Sequence, residues 1–301
     1  PTPQRCASDS MSGVYDFFLQ PLLEFGFMRR ALVACLALSV SAGPIGCFLV
    51  LRRMSLMGDA MSHAILPGAA IGFLLAGLSL WAMSLGGLVA ALLVALLAGG
   101  MSRLTPLKED AALAGFYLIS LALGVLLVSL KGSNVDLLHI LFGTLLAVSD
   151  GALLLIAATA SLTILVLAAI YRTLIAECFD PAFLKAVGGR GGLAHVLFLT
   201  LVVVNMVAAM QALGTLMAVG LMMLPAASAR LWTISIGRMI AVAILVACAA
   251  SIGGLLVSYH ADLPSGPSVI LAAGALYVAS LLAGANGGLL RRLLPRRHLE
   301  H

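Results

Sequence analysis

Nine stretches of roughly twenty predominantly apolar residues run through this chain, at 31–51, 55–77, 81–101, 111–130, 152–171, 195–213, 215–231, 239–259 and 267–285. Each is as long as a helix must be to cross the hydrocarbon core of a bilayer, which takes about 20 residues. Water is absent from that core, so every backbone N–H and C=O must be satisfied by the protein, and only helices or closed barrels can span. The runs are continuous rather than alternating at period two, which excludes an outer-membrane barrel. Only Gly214 divides 195–213 from 215–231, so the reading is about nine spans, with eight to ten as its bounds. Of the 301 residues, 62% are hydrophobic and 10% are charged, where an average soluble domain carries about 25% charge. Mean hydropathy is +1.14. That leaves too little polar surface to coat a soluble globule. The sequence predicts an all-α, polytopic integral membrane protein, one transmembrane domain over 1–301.

The segments between the runs add detail. Residues 137–147 are apolar but too short to span, and read as a re-entrant or interfacial helix. Residues 15–28 are amphipathic and are expected to lie along the membrane surface. The end, His298-Leu299-Glu300-His301, resembles an expression-tag remnant and is set aside. Nine alternating spans sort the 17 Lys and Arg residues into thirteen on one side and four on the other. The larger set marks the cytoplasmic side and includes Arg52, Arg53, Arg103, Lys108, Lys185, Arg190 and Arg230. That places the C-terminus inside and the N-terminus outside, although Arg29 and Arg30 pull the other way. The net charge of +5 is loop charge without interleaved aromatics, so nucleic acid is not an expected partner. Cys35, Cys47 and Cys248 fall inside apolar runs and read as packing residues rather than a disulfide framework.

One stretch carries unusual chemistry for a membrane span: Arg52-Arg53-Met54-Ser55-Leu56-Met57-Gly58-Asp59-Ala60-Met61-Ser62-His63-Ala64-Ile65-Leu66-Pro67-Gly68. Asp59 and His63 stand four apart and share a helix face, with Ser55 and Ser62 close to it. A helix continuous from Arg53 would carry His63 about 15 Å inward, near the midplane. An Asp at that depth costs about 2.5–3.5 kcal/mol on insertion scales, so it needs a compensating partner. A carboxylate oxygen with an imidazole nitrogen suits zinc, manganese or ferrous iron. Two ligands are too few for such an ion, and two copies facing each other would supply four. The plainer reading is that Asp59 and His63 bond each other or mark a helix mouth near water. Met54, Met57 and Met61 form a separate stripe that reads as packing. Pro67 and Gly68 interrupt the helix beyond the pair, the pattern of broken helices at transport sites. Gly68 and Gly72 make a small-xxx-small face.

The longest loop, 173–194, contains a short capped helix: Asp180 as N-cap, Pro181 at N1 and Gly188 at C′. Phe183, Leu184 and Val187 form its apolar side. They either dock a cytoplasmic partner or fold against the chain's own spans. Asp136, His139, His260, Asp262, Asn205 and Gln211 read as structural polar groups. The sequence holds no G-x-x-x-x-G-K-[ST], no G-x-S-x-G and no H-E-x-x-H, so neither ATP hydrolysis nor other catalysis is expected of it.

Val50-Leu51-Arg52-Arg53-Met54-Ser55-Leu56-Met57-Gly58-Asp59-Ala60-Met61-Ser62-His63-Ala64-Ile65-Leu66-Pro67-Gly68 resembles the signature of the permease subunits of zinc/manganese/iron ABC importers. Leu107-Lys108-Glu109-Asp110, Leu141-Phe142-Gly143, Phe179-Asp180-Pro181-Ala182-Phe183, Met223-Leu224-Pro225-Ala226-Ala227 and Leu263-Pro264-Ser265-Gly266 resemble later landmarks, in order. The resemblance covers about 15–290 and implies the ABC importer permease fold in a bacterial cytoplasmic (inner) membrane. It implies a second permease subunit, two ABC ATPase subunits and an extracytoplasmic metal-binding protein as partners. The transported divalent ion, zinc or manganese and possibly iron, is then cargo rather than a bound cofactor. Asp59 and His63 match the family's metal positions, and 180–188 matches its ATPase contact. Two other readings stand beside it: a permease for a metal chelate, and a stand-alone proton-coupled carrier.

Overall fold

The computed structural model describes residues 25–77, 79–106, 108–130, 148–180, 184, 186, 188, 189, 191–286 and 288–290. The expected interfacial helix over 15–28, apart from its last four residues, lies outside the described residues. So do the short piece 137–147, with Asp136 and His139, and the terminal 298–301.

Ten helices are described: α1 (Gly26–Leu51), α2 (Met57–Ala64), α3 (Leu66–Ala76), α4 (Leu80–Leu104), α5 (Glu109–Leu130), α6 (Asp150–Phe179), α7 (Gly191–Leu213), α8 (Thr215–Trp232), α9 (Ile236–Ala261) and α10 (Ser265–Ala283). Helices α2 and α3 are two halves of one crossing, so the described residues contain nine helices or helix pairs long and apolar enough to span. This is the all-α, polytopic membrane architecture expected from the apolar runs. The boundary at Gly214 is real: its φ of 87° is closed to most side chains and open to glycine, and α8 starts on the next residue. The expected loop 173–194 is shorter than predicted. Helix α6 continues through Arg172 to Phe179 and α7 begins at Gly191.

Helices α1 and α7 lie at the centre. Helix α1 packs on α6, α8 and α9, and α7 packs on α4, α6 and α8. Helices α8, α9 and α10 close one side of the bundle, while α3, α4 and α5 close the other. The short α2 is wedged among α4, α5, α7 and α8. Outward-facing positions are large and apolar, among them Leu75, Trp81, Leu93, Leu126, Leu165, Leu245 and Leu271. Such a surface suits lipid tails, and polar groups are turned inward. Asn205 on α7, for example, donates to Thr163 Oγ1 on α6 and to its own Leu201 carbonyl.

Small residues set the closest approaches. A Cβ added to Gly68 on α3 would run into the Gly86 carbonyl of α4, and one added to Gly86 would run into the Gly68 carbonyl. Gly72 meets Ala82 in the same way one turn later. The helix bearing the Pro67 break is therefore clamped backbone to backbone on α4. Gly68→Ala should lower the melting midpoint in detergent, by a loss of about 1–3 kcal/mol from overpacking. Gly100→Ala is the control. Its Cβ meets nothing within 4 Å, and it should leave the midpoint unchanged or slightly raised.

Candidate functional site

The candidate metal residues sit just beyond a tight reversal at the end of α1. Arg53 N–H donates to the Val50 carbonyl (3.2 Å) and Met54 N–H to the Leu49 carbonyl (2.9 Å). Arg53 between them is left-handed, with φ of 60°. This is a Schellman closure with arginine where glycine is usual, at a backbone cost of about 1–2 kcal/mol. Met54, just after it, is buried and anchors the turn. Helix α2 starts only at Met57. His63 therefore lies about 9 Å along α2 from its start at 1.5 Å per residue, not the 15 Å of a helix running from Arg53. Ser55 falls in the turn, outside the helix, so the expected polar stripe is shorter. Ser62 is buried and its hydroxyl donates to the Asp59 backbone carbonyl (2.7 Å).

Asp59 and His63 do share one face. Asp59 Oδ1 lies 3.9 Å from His63 Nε2, and the side chains are 62% and 33% exposed. Two ligands each about 2.1 Å from a tetrahedral ion stand about 3.4 Å apart. A small rotation of the exposed carboxylate closes the difference. The His63 ring stacks on Tyr117 of α5 at 6.1 Å between centroids and 23° between planes. Its Nδ1 is buried without a hydrogen-bond partner among the described residues. The open side of the ring is thus the Nε2 side, which faces Asp59. Among the described residues no three His, Cys, Asp or Glu side chains gather as a metal site. Beyond the pair, Pro67 is in the first turn of α3 and has no amide to meet the His63 carbonyl. Ser120 Oγ of α5 donates to the neighbouring Ala64 carbonyl (3.2 Å). Met54, Met57 and Met61 are buried at 4%, 1% and 0%, turned into the packing rather than toward the pair.

Of the loop residues, Asp180, Leu184 and Gly188 are described, while Pro181, Phe183 and Val187 lie outside the described residues. Leu184 N–H donates to the Asp180 carbonyl (3.2 Å) and Gly189 N–H to the Leu184 carbonyl (2.8 Å). Gly188 is left-handed with φ of 72°, as expected of a helix C-terminus. The Leu184 side chain lies against Gly189 and Gly191 at the foot of α7.

Sequence reading missed a second polar cluster at the Arg52 end of the bundle. Arg52 Nη2 donates to Glu177 Oε2 (3.0 Å), Nε to Cys178 Sγ (3.4 Å) and Nη1 to His195 Nδ1 (2.7 Å). Arginine has no acceptor, so His195 Nδ1 accepts and its Nε2 carries the proton. That nitrogen lies 3.0 Å from Glu109 Oε1. The Arg52 guanidinium also sits 4.9 Å from the Phe198 ring centre. Side-chain exposures are 9% for Arg52, 13% for Glu177, 8% for His195 and 24% for Glu109. Arg52 and His195 are 143 positions apart, so no local spacing links them. The one available signal was the presence of charge just inside the span ends.

The described residues thus form nine helices or helix pairs long and apolar enough to span, one of them broken beside an exposed Asp/His pair. The ABC 3 transport family matches residues 24–284. The chain is 34% identical over 276 residues to the manganese import system permease protein ScaB of Streptococcus gordonii, covering 91% of this chain and 98% of that protein. It is 32% identical to a probable iron transport system membrane protein of Haemophilus influenzae, covering 89% of this chain and 97% of that protein. Among solved structures, PsaBC from Streptococcus pneumoniae in complex with Fab matches at a TM-score of 0.79 and 33% identity, over 91% of this chain and 98% of that chain. The chain belongs to the ABC 3 transport family and is a multi-pass permease of the metal ABC importer class.

The buried methionines predict a simple contrast. Met61→Leu conserves volume and should cost under about 1.5 kcal/mol. Metal uptake should stay at the wild-type rate, measured with radioactive manganese in cells. A loss of uptake with normal membrane expression would make Met61 part of the ion path.

Proposed function

We propose that this chain is the permease subunit of an ATP-binding cassette importer for divalent transition-metal ions in the bacterial cytoplasmic membrane, with manganese as the first candidate and iron(II) or zinc as further cargo. The observation that carries the reading is the meeting of Asp59 and His63 on one open face of the half-helix α2. The manganese and iron names of the relatives support the choice of cargo. Two ligands per chain call for a second permease, most simply another copy. Asp59 and His63 from both copies would then face one ion on the shared axis.

The ion must shed part of its water to pass. Asp59 offers charge and a carboxylate oxygen, and His63 an imidazole nitrogen. Four protein ligands with no further donor give a site of moderate strength, as conduction requires. Pro67 beyond the pair removes a backbone hydrogen bond between the half-helices, so α2 can shift against α3, which Gly68 holds on α4. An extracytoplasmic binding protein would deliver the ion.

The chain has no ATP-binding loop of its own, so ABC ATPase subunits must supply the energy. Their dock is the 180–188 turn, framed by Asp180, Pro181 and Gly188, with Phe183, Leu184 and Val187 as its apolar side. A chelate permease needs a wide channel without a ligand pair, and the exposed Asp59 and His63 speak against it. A proton-coupled carrier needs a relay of carboxylates inside the spans. Glu109, Asp110 and Asp150 instead lie in first helical turns, and Glu177 lies at the end of α6.

Asp59→Ala and His63→Ala should abolish manganese uptake in reconstituted vesicles while expression and ATPase co-purification persist. Asp59→Asn keeps the shape and loses the charge, and should be as defective as Asp59→Ala. Wild-type uptake by both alanine variants would place the ion path elsewhere. In a separate test, Phe183→Asp should abolish ATPase association or uncouple hydrolysis from uptake. Normal coupling in that variant would remove the proposed dock.

A further inference from the structure

The Arg52 cluster joins the two features on which the importer reading rests, and this inference depends on that reading. Glu177 and Cys178 stand three and two residues before Asp180, on the leg that enters the 180–188 turn. His195 and Phe198 stand on the first turns of α7, the leg that leaves it. Both legs converge on one side chain, Arg52. The backbone of Arg52 is the C-cap of α1 and the first residue of the reversal that leads to α2. Seven positions separate Arg52 from Asp59. We propose that the Arg52 guanidinium is the mechanical joint through which movement of the 180–188 turn is passed to the metal-bearing half-helix α2.

The chemistry suits that task. Arginine presents donors in a planar fork, and here the fork is used in three directions, to Glu177, Cys178 and His195. A lysine in the same place would be a point charge and would hold fewer of these at once. The groups are largely buried, so their attraction is poorly screened and breaking one leaves an uncompensated charge. Glu109 at the start of α5 approaches His195 Nε2 to 3.0 Å, without a formed hydrogen bond. Helix α5 in turn carries Tyr117 against the His63 ring. The joint therefore reaches the metal pair by two routes, the Arg53 reversal and α5. A displacement of the turn must either carry α2 and α5 with it or break the cluster. Simple surface ion pairs, such as Arg30 with Asp150 at side-chain exposures of 50% and 83%, have no such consequence.

A residue in such a joint is a positioning residue, and its signature is the ratio of ions moved to ATP hydrolysed. The test uses the complete permease with its ATPase in proteoliposomes, with manganese uptake and phosphate release measured together. Glu177→Gln and Arg52→Gln should keep ATPase co-purification, and hydrolysis within about twofold, while manganese moved per ATP falls about tenfold, near the upper end for residues along a coupling path. Arg52→Lys should also fall, because charge without the fork is not enough. Glu177→Gln keeps shape and neighbours, and decides the matter if Arg52→Gln fails to assemble. An unchanged ratio in the assembled variants would overturn the inference, as would uptake and hydrolysis falling by one common factor. A wild-type complex without ATP-dependent uptake of manganese, iron(II) or zinc would instead overturn the importer reading itself.

Discussion

A peptide group in hydrocarbon has no water to turn to, and each one left without a partner costs several kcal/mol. Everything in this molecule is arranged around that demand. The spans are helices because a helix satisfies its own backbone. Serines and threonines inside them mostly donate to carbonyls of their own helix, as Ser39, Thr163 and Ser251 do. The helix is interrupted at Ile65, in the crossing that bears Asp59 and His63. There Ser120 donates to the Ala64 carbonyl, and Gly68 and Gly86 let α4 press directly on the break. The irregular point is possible because neighbouring helices cover it.

The same demand explains where charge is found. Charged side chains occupy helix ends, and where they are buried they are gathered. Arg52, Glu177, His195 and Glu109 come from four different helix termini. A single guanidinium among apolar helix ends would be prohibitive, and a cluster with opposite charges is tolerable. The exposed Asp59 and His63 are the exception, open on a face that the described residues leave uncovered.

Much of this was legible in the sequence. The apolar runs fall on the observed spans, because lipid imposes one length and one secondary structure. The division at Gly214 and the close packing at Gly68 could be read because glycine has few other uses inside a span. The four-residue spacing of Asp59 and His63 predicts their shared face correctly. The start of α2 was not legible, since the reversal before it uses Arg53 where a glycine would have signalled it. That error also carried His63 too far along its helix. The Arg52 cluster was invisible because its members meet only in three dimensions. Arg52 and Glu177 are 125 positions apart, and each looks like an ordinary charge beside a span.

Helix lengths in the bundle are unequal. Helix α6 has 30 residues and is about 45 Å long, well beyond a hydrocarbon core of about 30 Å. The crossing made by α2 and α3 spans 20 residues, and α8 has 18, or about 27–30 Å. A long helix can project into water at either end, but a short one cannot extend. The bilayer must therefore match the short spans, and each ångström of mismatch costs a fraction of a kcal/mol. The candidate ion-handling crossing belongs to these short spans, with α8 and the 19-residue α10, so lipid chain length bears on the part of the molecule where the helix is already broken.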